Sequence, residues 1–251
     1  MTRYHGGKQR IGKEIAEIIA DVSLDIEDDY EFTIKGYCEP FCGMLGVYQH
    51  IPKLFEENHP PLKYKAGDTN ESVIKMWKAS QRGWKPPTSC SKTKFTQLKH
   101  NNTSSAEKGF IGHTCTFRGV FFDGYFNWPN STIKNNSIKV SKIGSEMSNV
   151  KFSSGSYNQF SNLKNFVIYC DPPYANTEQR YYKGIGYTNR LSFDSEAFWN
   201  WCRKMSKDNI VFISEYKAPR DFINVFSSSH KITGTPGTLG KKRVEKLFLM
   251  Y

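Results

Sequence analysis

The sequence has no run approaching the ~18 consecutive apolar residues of a membrane span, and its opening, MTRYHGGKQR, lacks the apolar stretch of a signal peptide. A soluble, intracellular protein is therefore expected. No CxxC pair occurs among Cys38, Cys42, Cys90, Cys115, Cys170 and Cys202, so the cysteines read as reduced, mostly buried thiols rather than a disulfide framework. His113 and Cys115, with Cys90 and His100 upstream, match no recurrent zinc-ligand spacing, and no metal is expected. No internal repeat or long low-complexity tract interrupts the chain.

Acid is scarce where base is dense. Residues 72–118 carry Lys75, Lys78, Arg82, Lys85, Lys92, Lys94, Lys99, Lys108 and Arg118 against the single acid Glu107, whereas residues 21–31 are acidic. The formal net charge of +11 asks for a polyanionic partner, although a basic run taken alone is more readily a solvated face than a nucleic-acid site. With 251 residues, 38% hydrophobic and 15% aromatic, the chain has material for one large folded α/β core, with or without an insertion.

Ile11, Ile15, Ile18 and Ile19 share one helical face, so residues 10–20 read as an amphipathic helix. A strand at 33–38, a helix at 45–55 interrupted by Pro52, a strand at 62–66 and a helix at 71–79 follow, the last opened by Asp68, Thr69 and Asn70 as capping signals. From residue 83 the chain turns polar and irregular. Regular pattern returns with a strand at 166–169, a helix at 195–205, a strand at 210–213 and a closing strand at 246–251. The expected organisation is a core of residues 1–82 and 163–251 split by an insertion at 83–162.

Two stretches carry chemistry. In FVIYCDPPYANT (166–177) an apolar strand stops on Asp171, Pro172, Pro173 and Tyr174. Reactive groups of open α/β sheets sit at the carboxyl ends of strands. The prolines stiffen the backbone there, holding the Asp171 carboxylate and the Pro172 carbonyl as two adjacent acceptors. Tyr174 offers a ring on which a flat base can stack. An amino group on a planar ring fits this set; an arbitrary Asp-Pro-Pro would be a mere strand-ending turn. Upstream, YCEPFCGMLGVY (37–48) runs a strand into Glu39, Pro40 and Phe41, then turns on Gly43 and Gly46. It is not the GxGxxG loop of dinucleotide sites, and it suits a phosphate-free cofactor whose ammonium pairs with an acid. Asp68, ending the next expected strand, stands where an acid grips ribose hydroxyls, or caps a helix.

RYHGGKQRIG, YCEPFCGMLG and YCDPPY, in that order, resemble the three hallmark elements of the Dam-like DNA adenine-N6 methyltransferases, with VFISEYKAP (211–219) and KKRVEKLFLMY (241–251) similar to later ones. The resemblance implies a Rossmann-like core that uses S-adenosyl-L-methionine, with an inserted target-recognition region between cofactor and catalytic motifs. It implies that Tyr4, Gly7, Lys8, Glu39, Pro40, Phe41, Gly43, Asp68 and Asp171 form the cofactor site, with Glu39 on the methionine end and Asp68 on the ribose. Asp171, Pro172, Pro173 and Tyr174 become the catalytic element, and double-stranded DNA the partner. No Pro-Cys dipeptide of the ring-carbon cytosine enzymes occurs.

Residues 109–127 are similar to phage and viral members rather than to the bacterial recognition hairpin, so no target sequence carries over. Lys92, Lys94 and Arg118 are the expected phosphate contacts. Tyr125 is a candidate to fill the gap left by a flipped base, against core packing as the plainer role. Arg180 and Lys183 mark a loop expected to close on DNA. RNA adenine-N6 methylation, DNA cytosine-N4 methylation and a non-catalytic DNA-binding module are the rival readings. A monomer or homodimer, with or without a cognate restriction nuclease, is compatible with all of them.

Overall fold

A computed structural model describes residues 7–56, 59–173, 193–231 and 242–251. In chain order these form α1 (Gly12–Asp29), β1 (Gly36–Glu39), α2 (Ile51–Glu56), β2 (Lys63–Asp68), α3 (Glu71–Gln81), α4 (Lys92–His100), α5 (Ala106–Thr114) and α6 (Asn130–Glu146). β3 (Val150–Ser154), β4 (Phe166–Cys170), α7 (Ser195–Met205), β5 (Ile210–Glu215), β6 (Ile223–Lys231) and β7 (Lys242–Met250) complete it.

The strands make one sheet of order β3-β2-β1-β4-β5-β7-β6. β1 to β5 pair in parallel, and β7 runs antiparallel between β5 and β6. Burial on both faces explains the continuous apolar runs of β4 and β5. Tyr37, Val167, Tyr169 and Phe212 face a core shared with α1, α2, α3, α5 and α6. Their neighbours Cys38, Ile168, Cys170 and Ile213 face the opposite core, with Phe198, Trp201 and Cys202 of α7. The order and the single reversed strand give the Rossmann-like methyltransferase architecture that the sequence resemblance implies.

Two expectations need correction. Residues 83–162 are not all insertion, because β3 is a strand of the main sheet, paired along β2 from Tyr64↔Val150 to Asp68↔Ser154. The α6 helix leading into it buries Ile133, Asn136, Ser137, Val140 and Ile143, a helical stripe hidden in a segment rich in Asn and Ser. The added material is therefore the excursion between α3 and α6, with α4 and α5 inside it. The first helix also runs far beyond residue 20, since the acidic stretch continues its outer face while Ser23 and Ile26 stay buried.

Candidate active site

Between β1 and β4 the order of the sheet reverses, because β1 leads outward to β2 on one side while β4 leads to β5 on the other. Such a switch point opens a crevice at the carboxyl ends of its strands. Glu39 closes β1, Asp171 follows β4 and Asp68 closes β2, so three acids separated widely in sequence meet along one edge.

Glu39 is 2% exposed, and its Oε1 accepts a hydrogen bond of 2.8 Å from the Tyr37 hydroxyl. Burial pushes its carboxyl well above the usual carboxylate range; the Tyr37 bond opposes this and the Asp171 charge adds to it. The chain then turns sharply. The Cys42 N–H donates to the Gly67 carbonyl at 2.8 Å, the Gly43 N–H to Asp68 Oδ2 at 3.0 Å, and Trp77 Nε1 to the Gly43 carbonyl at 2.8 Å. Gly43 has φ 42°, where a side chain would be strained. A Cβ on Gly12 would strike the Gly46 carbonyl, so the N-terminal element and the Glu39 loop pack backbone against backbone.

Lys8 is buried between two carboxylates. Its Nζ lies 2.7 Å from Asp171 Oδ1 and 3.2 Å from Glu245 Oε2 of β7. Burial alone would lower the Lys8 pKa, but the charges and hydrogen bonds of Asp171 and Glu245 outweigh it and raise the value, so the ammonium persists. Beneath them the Tyr169 hydroxyl and Ser214 Oγ share a buried hydrogen bond of 2.8 Å.

The donor set fits S-adenosylmethionine. Buried Glu39, with the Tyr37 hydroxyl on one of its oxygens, is an acid that a ligand's ammonium group would hold in its charged form. Half-buried Phe41 stands among Tyr157, Phe193 and Phe198 at ring distances of 5.6, 6.0 and 5.7 Å, an aromatic wall for a flat group beside the acids. Asp68 is committed partly to the fold: besides Gly43 it accepts from the Asn70 N–H at 2.8 Å. Burial raises its pKa and these two bonds work against the rise. Each of its oxygens keeps lone pairs for a further hydroxyl. Pro172 is buried, and Pro173 and Gly7 are half-buried, in the same neighbourhood. Tyr4, Tyr174, Arg180 and Lys183 lie outside the described residues.

The excursion sorts its candidate contacts. Lys92 and Arg118 are exposed, and Lys94 pairs with Glu107 at 2.8 Å. Lys108, one of the dense bases, is buried, donating to the Asn101 carbonyl with its ammonium over the Phe122 ring; it holds α5 rather than a phosphate. Tyr125 packs on Phe95 at 5.4 Å and donates to the Cys90 carbonyl at 2.9 Å, which is the packing role. Exposed aromatics stand elsewhere. Phe117 is 55% and Phe126 36% exposed, and together with Trp128 they form a contiguous group with centroid spacings of 5.2, 4.2 and 6.4 Å. The Thr116↔Tyr125 bridge and the Trp128 Nε1–H bond to the Thr116 carbonyl brace the group. Reasoning from sequence had Phe126 among the aromatics that could fill the gap left by a flipped base, but it missed Phe117 and Trp128, and it missed Tyr37, Tyr157 and Glu245. Alternation within β1 signals Tyr37 as sharing the face of Glu39; only tertiary pairing reveals the others.

No curated protein matches the chain in sequence. Among solved structures it is similar to a candidate RNA methyltransferase, PH1948 from Pyrococcus horikoshii, at 9% identity and TM-score 0.40, over 94% of this chain and 83% of that one. It is also similar to the rRNA methyltransferase aviRa from Streptomyces viridochromogenes, at 9% identity and TM-score 0.35, over 87% and 77% of the two chains. Strand order and the antiparallel β7, rather than these distant likenesses, define the fold. Residues 116–233, which include β3, β4, Asp171 and β5, match the family model of the D12 class N6 adenine-specific DNA methyltransferases.

Proposed function

We propose that the protein transfers the methyl group of S-adenosyl-L-methionine to the N6 amino group of an adenine in duplex DNA. The observation that carries this reading is the meeting of Asp171 and Glu39 across the switch point of a methyltransferase sheet, within a chain whose residues 116–233 match the D12 class. Bound there, the cofactor supplies an electrophilic methyl on a sulfonium. Glu39 holds its ammonium and Phe41 packs on it, while Asp68 takes ribose hydroxyls.

The base has to leave the duplex to reach the strand end, at a cost of a few kcal/mol that contacts in the pocket offset. Asp171 accepts one amino hydrogen and the Pro172 carbonyl the other. An aromatic amine has its lone pair conjugated into the ring, so acceptors that favour a pyramidal nitrogen act more on the transition state than on the ground state. Such a transfer would need no covalent enzyme intermediate, and Asp171 would take the proton that the amino nitrogen sheds as it gains the methyl group. Exposed Lys92 and Arg118 meet phosphates, and the Phe117, Phe126 and Trp128 rings lie against bases of the distorted duplex.

Incubating the protein with radiolabelled cofactor and unmethylated duplex DNA, or RNA of the same sequence, tests the substrate. Label in the duplex is expected. Label confined to RNA overturns the DNA assignment and keeps the amino-group chemistry; cofactor binding without label in either favours a non-catalytic module.

A further inference from the structure

We infer that Glu245 is a positioning residue of the methyl-transfer site, holding the Lys8 ammonium so that Lys8 in turn fixes the Asp171 carboxylate toward the target base. The inference rests on the reading of Asp171 as the acceptor of the amino hydrogens. Among the described strands β7 alone runs opposite to the direction of β1 to β5, with Glu215↔Lys246 in register. Its opening half therefore lies beside the carboxyl end of β5, on the edge where β4 ends, which brings Glu245 to the site from the far end of the sequence.

A lysine side chain has four rotatable bonds, and a single contact leaves it free to swing away from its partner. Here the ammonium is anchored twice, at 2.7 Å on Asp171 and 3.2 Å on Glu245, with side-chain exposures of 4% for Lys8, 18% for Asp171 and 14% for Glu245. Desolvated and doubly held, it is a fixed point against which the Asp171 carboxylate is set. The second carboxylate also keeps Lys8 from neutralising Asp171 outright. Because Glu245 draws on the same ammonium, Asp171 keeps more of its negative character toward a reacting nitrogen that becomes cationic, which favours the transition state over the neutral amine.

The test compares the parent protein with Glu245→Gln, Glu245→Asp, Lys8→Met and the Lys8→Met/Glu245→Gln pair in steady-state methyl transfer to duplex DNA. Lys8 acetylation by trace acetic anhydride is followed in parallel by mass spectrometry. Misplacing a reacting group by about 1 Å costs up to about 100-fold. Accordingly, Glu245→Gln is expected to lower kcat about 10- to 100-fold with KM for cofactor and DNA and the melting temperature nearly unchanged. Glu245→Asp should restore part of the loss, Lys8 should become more reactive in Glu245→Gln, and the pair should be no worse than Lys8→Met alone. A parental kcat in Glu245→Gln with unchanged Lys8 reactivity overturns the inference, as does a loss of rate that merely follows a loss of stability. If the parent labels no DNA but Lys8 reactivity still answers to Glu245, the tie stands and the substrate reading fails.

Discussion

Replacing Glu39 by Gln separates two consequences of burying an acid. The amide keeps the shape of the side chain and can accept from the Tyr37 hydroxyl, so the substitution removes charge and little else. Because burial raises the Glu39 carboxyl well above 4.5, the folded chain binds more protons than the unfolded chain over the window between the two values. Stability therefore falls as pH rises through that window, and the deficit is complete above it. Each unit of such a rise corresponds to about 1.4 kcal/mol. Without bound cofactor, Glu39→Gln is expected to match the parent near pH 4 and to become more stable as pH rises. At pH 8 the gain should be on the order of 1–3 kcal/mol, or about 2–4 °C of melting temperature per kcal/mol for a chain of this size. Cofactor affinity should move the other way. A hydrogen bond to a charged group contributes about 1.5–3 kcal/mol, so Kd should rise roughly 10- to 150-fold. Thermal melts from pH 4 to 8 with calorimetric titration of the cofactor would measure both. A pH-independent stability difference, or parental cofactor affinity in the variant, would refute the placement of Glu39 as a charge held for the ligand.

Phe117→Ala and Phe126→Ala should each weaken nucleic-acid binding by about 1–3 kcal/mol with the salt dependence preserved, while Arg118→Ala should reduce the salt slope by about one phosphate contact; fluorescence titrations at several ionic strengths separate the two, and unaltered affinity in the aromatic variants would rule the trio out as a base contact. His113 is buried against the Gly119 carbonyl at 2.8 Å, and burial lowers its pKa to about 4. It favours the fold fully above pH 6.5, and this contribution is lost as pH falls towards 4, amounting to roughly 3 kcal/mol at about 1.4 kcal/mol per unit. Urea unfolding at pH 7 and pH 4.5 should show the drop, and His113→Asn should flatten it. Gly12→Ala sets a methyl against the Gly46 carbonyl and should cost about 1–3 kcal/mol, with weaker cofactor binding because the Glu39 loop must shift; an unchanged melting temperature would contradict the close packing of the two elements.

The elements nearest the chemistry were legible because local rules and global fold agree there. Asn70 caps α3 by accepting from the Ser72 N–H at 3.1 Å, and α7 begins where Asp194 accepts from the Ala197 N–H at 2.9 Å. β4 and β5 read as buried strands because both their faces are covered. β6 went unseen: its polar Ser227, Ser228 and Ser229 sit on an edge strand with no apolar alternation to betray it. α6 and β3 were hidden by composition, since Asn and Ser are weak helix formers and the buried stripe outweighs that preference. Within the site, the acids at strand ends were legible from spacing alone. Lys8 could be placed only by family resemblance. Glu245 was beyond reach, because its partner is set by an antiparallel strand pairing that no local pattern announces.

The most direct test of the account is nucleoside mass spectrometry of unmethylated duplex DNA incubated with S-adenosylmethionine and either the parent protein or Asp171→Asn. The account predicts N6-methyladenine with the parent, and loss of nearly all of it in the variant. N4-methylcytosine as the product, or N6-methyladenine formed equally well without the Asp171 carboxylate, would contradict it.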